Sequence, residues 1–155
     1  MSSATSGVTL AGRMAENKML VRSVYSRISR EDFCNSKSLF HKDFVYTSPE
    51  YLPWGGITKT SGRYFDLIVP KLLNAIDYAR FTYSSLTNEG NCVVALFNVG
   101  IVGSNADVTF CEHWFLEGGL IRSLWSSLFE PLPLLVAIEH SKRPLCWRAN
   151  GWMPY

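Results

Sequence analysis

Apolar residues recur at two different spacings along this chain. Between Glu16 and Phe33 they recur every three or four positions, which predicts an amphipathic helix. Asn35–Phe40 predicts a second short helix, and Ser61–Ile76 predicts a third. Pro70 lies inside the third helix, so we expect that helix to bend or break near residues 68–69. Helices therefore dominate the first half of the chain.

The second half shows the shorter spacing of strands. Four strand-like runs are separated by turns rich in Asn and Gly, and their short connections favour antiparallel hairpins. A further short apolar run, Phe44–Tyr46, precedes the third helix. The pattern predicts an α+β fold with an antiparallel sheet formed by Ala79–Leu86, Cys92–Val102, Val108–Leu116 and Leu120–Phe129.

The last two runs are apolar on both faces. Period-two alternation puts Glu112 on the face of Phe110 and Trp114, and His113 on the other face with Phe115. A half-exposed sheet has one polar face, so we expect helices to cover one side and a second copy of the chain to cover the other, giving a homodimer. Along the fourth run the same alternation predicts that Leu120, Leu124 and Leu128 oppose Ile121, Trp125 and Phe129.

Composition divides the chain into three segments. Residues 1–15 are small and polar and predict a flexible tail, residues 16–133 form the α+β domain, and residues 134–155 form a C-terminal extension. Within the extension, Leu134–His140 predicts a short helix. Trp147, Trp152 and Tyr155 must find apolar surface on the domain or on a dimer partner.

Composition also excludes several classes of function. Of the 155 residues, 47% are hydrophobic and 18% are charged, which is ordinary for one globular domain. The net charge of +2, with no stripe of Lys or Arg, predicts no nucleic-acid partner. No apolar run approaches the length of a membrane span, and the four Cys contain no CxxC pair that would hold zinc. We therefore expect a cytoplasmic protein with reduced thiols and no metal site.

The segment Asp43–Gly62 runs from a short strand through a proline-rich turn to the start of a helix. It is interpreted either as a wall of a ligand pocket or as a rigid loop plugged by a buried Trp. Its Leu52-Pro53-Trp54-Gly55-Gly56 turn resembles the LPxGG turn of SnoaL-like proteins. In the same order as in those proteins come Leu39-Phe40, Asp43-Phe44-Val45, the hairpin Trp114…Gly119-Leu120-Ile121, and Phe129-Glu130-Pro131. Residues 19–133 thus resemble the nuclear-transport-factor-2-like (NTF2-like) superfamily, which includes ketosteroid isomerases and SnoaL-like polyketide cyclases.

The resemblance implies a curled sheet wrapped by about three N-terminal helices into a cone with an apolar pocket. It implies a cofactor-independent enzyme that isomerises, cyclises or dehydrates a small hydrophobic metabolite, polyketide-like or terpenoid-like, in secondary metabolism. Ketosteroid isomerase-like members carry an acid just before the proline that ends the first strand. Here Ser48 precedes Pro49, which supports the alternative of a non-catalytic binding or dimerisation module.

Glu112 is the leading candidate for acid–base chemistry. A lone carboxylate among apolar residues is paired, exposed at the mouth of the cone or kept protonated by desolvation, and desolvated carboxyls serve as general acids and bases. The alternative is a structural ion pair with Arg80 or Arg122. His113 is the alternate acid–base group if a bulge turns it inward.

The remaining candidates are aromatic. The resemblance places Tyr25 where ketosteroid isomerase-like members carry a tyrosine that polarises the substrate oxygen, and Tyr46 is a second possible donor. Rings in the strands, the turn and the third helix would supply the apolar walls for a substrate: Trp54, Tyr64, Phe97, Trp114 and Trp125.

Overall fold

The computed structural model describes residues 9–141. Its α-helices are α1 (Leu10–Ser29), α2 (Phe33–Ser36), α3 (Ser61–Arg63), α4 (Val69–Ala75) and α5 (Leu132–Ser141). A 3₁₀ turn spans Lys37–Leu39 and a π-helical turn spans Tyr64–Ile68. The strands are β1 (Phe40–Ser48), β2 (Gly56–Lys59), β3 (Ile76–Glu89), β4 (Cys92–Ile101), β5 (Asp107–Glu117) and β6 (Leu120–Phe129).

Helix α1 begins earlier than the apolar spacing predicted. The Oγ1 atom of Thr9 accepts a hydrogen bond from the backbone N–H of Gly12 at 3.1 Å, which caps the helix at Leu10 rather than Glu16. The first polar turns therefore belong to the helix and not to the tail. Val24 and Tyr25 lie on its buried face, as the spacing predicted.

The six strands form one sheet in the order β2-β1-β6-β5-β4-β3. The three hairpins from β3 to β6 are antiparallel, as predicted. Strand β1, however, pairs in parallel with β6, with Tyr46 opposite Leu124, so the sheet is mixed. The hairpin rule covers only consecutive strands, and the long connection after β1 leaves the direction of this pairing free. Strand β2 lies in a segment that the sequence assigned to a turn.

The sheet is curved and does not close. Register shifts in β3 and between β5 and β6 bend it, as bulges do. Helix α1 packs on β3 and β4, α4 packs on β3, and α5 packs on β4 and β5. The buried core between sheet and helices includes Phe44, Phe65, Phe97, Phe110 and Trp114. This is the predicted cone, with α1 as the one long helix before the first strand.

The predicted break at Pro70 takes the form of a wide helical turn. The π-helical turn Tyr64–Ile68 gives way to α4 at Val69, so Pro70 lies in the first turn of α4, where its missing N–H breaks no hydrogen bond. The turn also brings the ring of Tyr64 against that of Tyr46, with 5.0 Å between centroids.

The turn after β1 folds back tightly on itself. The N–H of Gly55 donates to the carbonyl of Leu52 at 2.9 Å, and that of Leu52 donates to the carbonyl of Pro49 at 3.1 Å. A Cβ atom at Gly55 would lie 2.2 Å from the Pro49 oxygen and 2.8 Å from Cα of Glu50, so only glycine fits there.

Helix α5 contains the helix predicted at Leu134–His140. The rest of the predicted C-terminal extension, with Trp147, Trp152 and Tyr155, lies outside the described residues, as do residues 1–8 of the predicted tail. Across residues 9–141, no helix has the length and apolar character needed to cross a membrane.

Candidate active site

Glu112 lies in the middle of β5 with its side chain inside the cone and only 7% of its surface exposed. Its Oε2 atom accepts a hydrogen bond from the hydroxyl of Tyr25 on α1. Its Oε1 atom accepts a second from the hydroxyl of Ser126, which lies directly opposite on β6, at 3.1 Å. The period-two alternation placed Glu112 on the correct face. The carboxyl group is thus held from both sides by neutral donors.

The two arginines predicted as possible partners of Glu112 form ion pairs with other carboxylates. Arg80 forms ion pairs with Asp77 and with Asp107, the latter at 3.0 Å. Arg122 forms an ion pair with Glu117 at 3.3 Å. Across residues 9–141, no cationic side chain forms an ion pair with Glu112. The structural ion pair is therefore not what holds this carboxylate.

Burial raises the pKa of Glu112 from its ordinary value of 4.5 to about 7. The nearby hydroxyls of Tyr25 and Ser126 and the indole of Trp114 act in the opposite direction, because they stabilise the ionised carboxylate. Desolvation outweighs them. Both protonation states are thus populated near neutral pH, which is the condition that a general acid–base group needs.

Tyr25 holds the carboxyl group in place. Its hydroxyl donates to Glu112 and accepts a hydrogen bond from Nε1 of Trp114 at 2.9 Å. Its ring packs against Phe81 and Phe97, with centroid distances of 5.4 Å and 5.2 Å. A phenol has one proton to donate, and here that proton points at Glu112. The role of Tyr25 as a donor to a substrate oxygen stays a prediction.

A second group of polar side chains adjoins Glu112 through Ser126. Burial, and then the negative charge of Glu112, raise the pKa of Tyr46. The neighbouring hydroxyls of Ser48 and Ser126 lower that pKa again. The parallel pairing of β1 with β6 places Tyr46, Ser48 and Ser126 together on the buried face of the sheet. We call Glu112, Tyr25, Trp114, Ser126, Tyr46, Ser48 and Trp54 the inner polar cluster.

Trp54 contributes an unpaired donor to this cluster. Only 3% of the residue is exposed, and within residues 9–141 its Nε1 atom has no hydrogen-bond partner. The hydroxyl of Ser48 donates to the backbone carbonyl of Trp54 at 3.4 Å and ties the end of β1 to the turn. Trp54 is therefore a buried ring, as the interpretation of this segment as a loop plugged by a Trp predicted.

The other predicted wall residues divide between the two faces of the sheet. Tyr64, Phe97 and Trp114 lie inside the cone and are almost completely buried, with Phe97 stacked on Phe110 at 5.3 Å. Trp125 lies on the outer face and is 66% exposed. The prediction that Trp125 lines the pocket is therefore wrong.

His113 also lies on the outer face, exposed and opposite Trp125. The register between β4 and β5 is unbroken from Cys92 to Gly100, so no bulge turns His113 inward. Its polar neighbour is the Sγ atom of Cys111, 3.9 Å from Nε2. His113 is excluded as the alternate acid–base group inside the cone.

A cavity of about 300 Å³ lies between α1 and β3, and we call it the α1–β3 groove. Tyr25 forms its inner wall, so the same side chain lines the groove with its ring and contacts Glu112 with its hydroxyl. This groove was not predicted from the sequence, because its polar residues follow no motif. The lining residues are Arg22, Tyr25, Ser26, Ser29, Tyr78, Phe81 and Tyr83. Within residues 9–141 no three His, Cys, Asp or Glu side chains come together in a way that would hold a metal ion.

Comparison with known proteins identifies the fold. No protein-family model and no curated protein sequence matches this chain. An NTF2-like protein of unknown function from Cytophaga hutchinsonii superposes with a TM-score of 0.57 at 21% identity, over 84% of this chain and 97% of that one. A steroid delta-isomerase from Pseudomonas aeruginosa superposes with a TM-score of 0.63 at 18% identity, over 88% of this chain and 96% of that one. The chain has the NTF2-like fold.

The predicted resemblance is thus confirmed at the level of fold. A de novo designed protein with a curved β-sheet also superposes, with a TM-score of 0.63 at 15% identity, over 82% of this chain and 97% of that one. The NTF2-like fold by itself therefore specifies no activity, and function has to be argued from the inner polar cluster.

Proposed function

We propose that this NTF2-like protein is a cofactor-independent acid–base enzyme that isomerises, cyclises or dehydrates a small hydrophobic molecule. The observation that carries the proposal is Glu112, a buried carboxyl with no cationic partner among the described residues and a pKa raised to about 7. A structural carboxylate at this depth is normally paired with a cation. A carboxyl that stays unpaired but well held is suited to proton transfer.

In the proposed reaction the Glu112 carboxylate removes a proton from a carbon next to a substrate carbonyl. The electron pair of the C–H bond moves to the carbonyl oxygen and gives an enol or enolate. Glu112 then returns the proton to a different carbon, which isomerises the substrate, or to a departing hydroxyl, which dehydrates it. Neutral donors such as Tyr46 stabilise the charge that develops on the oxygen.

The α1–β3 groove is the proposed route to Glu112. A substrate in the groove contacts the ring of Tyr25, which stands between the groove and the carboxyl group. Contact with Glu112 requires this ring to turn aside. The turned hydroxyl then no longer donates to Glu112 and becomes available to a substrate oxygen, which is the role that the family resemblance implied for Tyr25.

Replacing Glu112 by Gln tests the proposal, because it keeps the shape of the side chain and removes its titration. A neighbour in fold is named a steroid delta-isomerase, so the first assay is the conversion of a β,γ-unsaturated 3-ketosteroid to its conjugated isomer, followed by ultraviolet absorbance. Smaller β,γ-unsaturated ketones and β-hydroxy ketones complete the panel. We expect Glu112→Gln to lower turnover about 10²- to 10⁴-fold. His113→Gln, one residue away on the outer face, should keep the wild-type rate.

The alternative function is a non-catalytic small-molecule-binding or dimerisation module. Two observations favour it: both Glu112 oxygens already accept hydrogen bonds from the protein, and Ser48 stands at the position of the family acid. A panel compound that binds in the groove and is recovered unchanged by the wild-type protein would support the module. Near wild-type turnover by Glu112→Gln would contradict our assignment of the proton carrier.

We also propose that a second copy of the chain covers the outer face of the sheet. Ile57, Phe115, Trp125 and Phe129 are 70%, 49%, 66% and 69% exposed, and the strand pairings place them on the outer face of the sheet. Trp125→Lys should convert a dimer to a monomer in sedimentation equilibrium. Met19→Lys, at an exposed position on α1, is the matched control and should remain dimeric. A wild-type protein that sediments as a monomer would overturn this proposal.

A further inference from the structure

We propose that the exposed face of α1 beside the α1–β3 groove binds the phosphate group of an amphipathic ligand whose apolar body lies in the groove. The ligand is a phosphate monoester of a small ring compound. The inference deepens the proposed function by naming the class of substrate, and its catalytic meaning rests on that function. The binding site itself is tested without turnover.

Two adjoining cavities carry this inference. The α1–β3 groove has aromatic walls, formed by three rings of β3 and the ring of Tyr25. A second cavity, of about 370 Å³, lies along α1 toward its C-terminal end, and we call it the arginine pocket. Arg22 and Ser26 line both cavities, so the two meet along one face of the helix. The residues that line the arginine pocket are Arg22, Ser23, Ser26, Arg27, Arg30 and Asp32.

The charge of the arginine pocket favours a dianion. Three guanidinium groups line it against one carboxylate, that of Asp32, which leaves a surplus of two positive charges. The C-terminal end of α1 carries a partial negative charge of about one half, which reduces this surplus without reversing it. A phosphate monoester carries roughly −1.5 to −2 charges at neutral pH, and the fork of a guanidinium group matches two phosphate oxygens.

Arg22 is the arginine whose position indicates a ligand and not a structural contact. Arg27 donates to the backbone carbonyl of Asn35 at 2.7 Å and ties α1 to α2. Arg30 is the C-cap of α1, where a cation is favourable in any case. Arg22 lies two turns before that end, is exposed, and forms no ion pair within residues 9–141. Its guanidinium lies over the ring of Tyr83, 5.8 Å from the centroid, which holds it at the mouth of the groove.

This arrangement gives a bound substrate one orientation. A phosphate at Arg22 keeps its charge beside exposed side chains. The apolar body then contacts the ring of Tyr25, whose hydroxyl donates to Glu112. The groove, at about 300 Å³, is at the small end of ligand pockets and suits a compact body better than a long chain. Arg22 would thus be a specificity-determining residue that sets which end of the substrate approaches Glu112.

Four compounds separate the contribution of the phosphate from that of the body. 2-Naphthyl phosphate carries both, 2-naphthol carries the body without a charge at neutral pH, 2-naphthoate carries a single negative charge, and inorganic phosphate has no body. Their Kd values are measured by calorimetry with the wild-type protein at low ionic strength. We expect 2-naphthyl phosphate to bind about tenfold more tightly than 2-naphthol or inorganic phosphate, with 2-naphthoate between them. Added salt should weaken the two anionic naphthalenes and leave 2-naphthol unchanged.

Replacing Arg22 tests the contact with the phosphate. Arg22→Gln should weaken binding of 2-naphthyl phosphate about tenfold and leave binding of 2-naphthol unchanged. Arg22→Lys, which keeps the charge and loses the fork, should restore part of that affinity. The matched control is Arg13→Gln, which removes a charge from an exposed position of the same helix that lines neither cavity. It should keep the wild-type affinity for both compounds.

Replacing Tyr83 tests the contact with the body. Tyr83→Ser removes an exposed ring from the groove and should weaken 2-naphthyl phosphate and 2-naphthol alike, by about threefold. Tyr51→Ser removes an exposed ring from the turn after β1 and should weaken neither. Both positions are on the surface, so both variants should fold.

Several results would overturn the site. These are equal affinity for 2-naphthyl phosphate and 2-naphthol, equal affinity for the phosphate and the naphthoate, the same weakening by Arg13→Gln as by Arg22→Gln, inorganic phosphate that binds as tightly as its naphthyl ester, or no binding of any compound. Absence of the site together with Glu112-dependent turnover of a neutral ketone would leave the proposed function standing. An intact site with a fully active Glu112→Gln variant would instead remove only the proposed proton carrier.

Discussion

Two cross-strand pairs lie next to each other in the β5–β6 hairpin: Glu112 opposite Ser126, and His113 opposite Trp125. In each pair a titratable side chain of β5 lies opposite a residue of β6, and Glu112 and His113 are consecutive residues of β5. The first pair faces the cone interior and the second faces outward. Glu112 is the less obvious choice, because an imidazole is the more usual acid–base group near neutral pH.

The difference between the two pairs lies in their solvation. Inside the cone, desolvation moves the pKa of Glu112 to about 7, and neutral hydroxyls fix its two oxygens. Outside, His113 is exposed, and the sulfur of Cys111 is its polar side-chain neighbour among residues 9–141. A carboxyl group, which is ordinary on a protein surface, thus acquires a pKa near 7 because it lies on the inner face of the sheet.

The largest expected effect is on stability, from the tryptophans of the two faces. Trp114→Ala opens a cavity in the core and removes the N–H that binds Tyr25, so it should lower the free energy of unfolding by about 3–5 kcal/mol in urea denaturation. Trp125→Ala should change it by less than about 0.5 kcal/mol in the monomer. Equal losses would contradict the assignment of faces. A loss for Trp125→Ala that grows with protein concentration would instead indicate the proposed dimer.

The next effect concerns the pH dependence of stability. The folded-state pKa of Glu112, about 7, lies above the ordinary value of 4.5, so between these values the folded protein binds more protons than the unfolded chain. The free energy of unfolding therefore falls as pH rises from about 4.5 to 7, by a total on the order of 3 kcal/mol, and is constant above pH 7. Glu112→Gln should remove this fall and be the more stable protein at pH 8 by about 2–3 kcal/mol.

The matched control is His113→Gln, which should keep the fall between pH 4.5 and 7 because Glu112 is intact. Urea denaturation at a series of pH values measures both variants. A wild-type stability that is level across this window would contradict the buried, unpaired state of Glu112.

The smallest effect separates two neighbouring serines. The hydroxyl of Ser126 stabilises the ionised form of Glu112, so Ser126→Ala should raise the pKa of Glu112 further, by about one unit. Ser127 faces the other way and donates to the backbone carbonyl of Cys111, so Ser127→Ala should leave that pKa unchanged. Carbon-13 NMR of the Glu112 carboxyl group follows both titrations. A pKa that falls in Ser126→Ala would show that the hydroxyl instead favours the protonated acid.

Much of this arrangement follows from alternation along single strands. The inward direction of Glu112 needed only the period of two and the apolar neighbours Phe110 and Trp114. The position of Tyr25 on the buried face of α1 followed from the helical spacing, and its approach to the site followed from the family resemblance. Ser126 was missed, because β6 contains three serines and nothing in the sequence singles out this one. Identifying it as the partner of Glu112 requires the register between two strands.

Register is also where the sequence interpretation failed. A register shift between Phe115 and Leu116 brings Ile121 to the inner face together with Leu124, so strict alternation misassigned Ile121, although it correctly placed Trp125 opposite Leu124. Irregularities of this kind depend on how the whole sheet curves and leave no local pattern in the sequence. The parallel pairing of β1 with β6 is a similar case, since it depends on contacts between distant segments.

The tight turn at Gly55 couples a surface position to the interior of the cone. No polar atom of Gly55 reaches the interior, yet any larger residue there collides with the Pro49 carbonyl and forces the turn to open. The preceding residue is Trp54, whose indole would move with the backbone. Substitutions at position 55 would therefore shift a buried indole although the substituted residue itself lies on the surface.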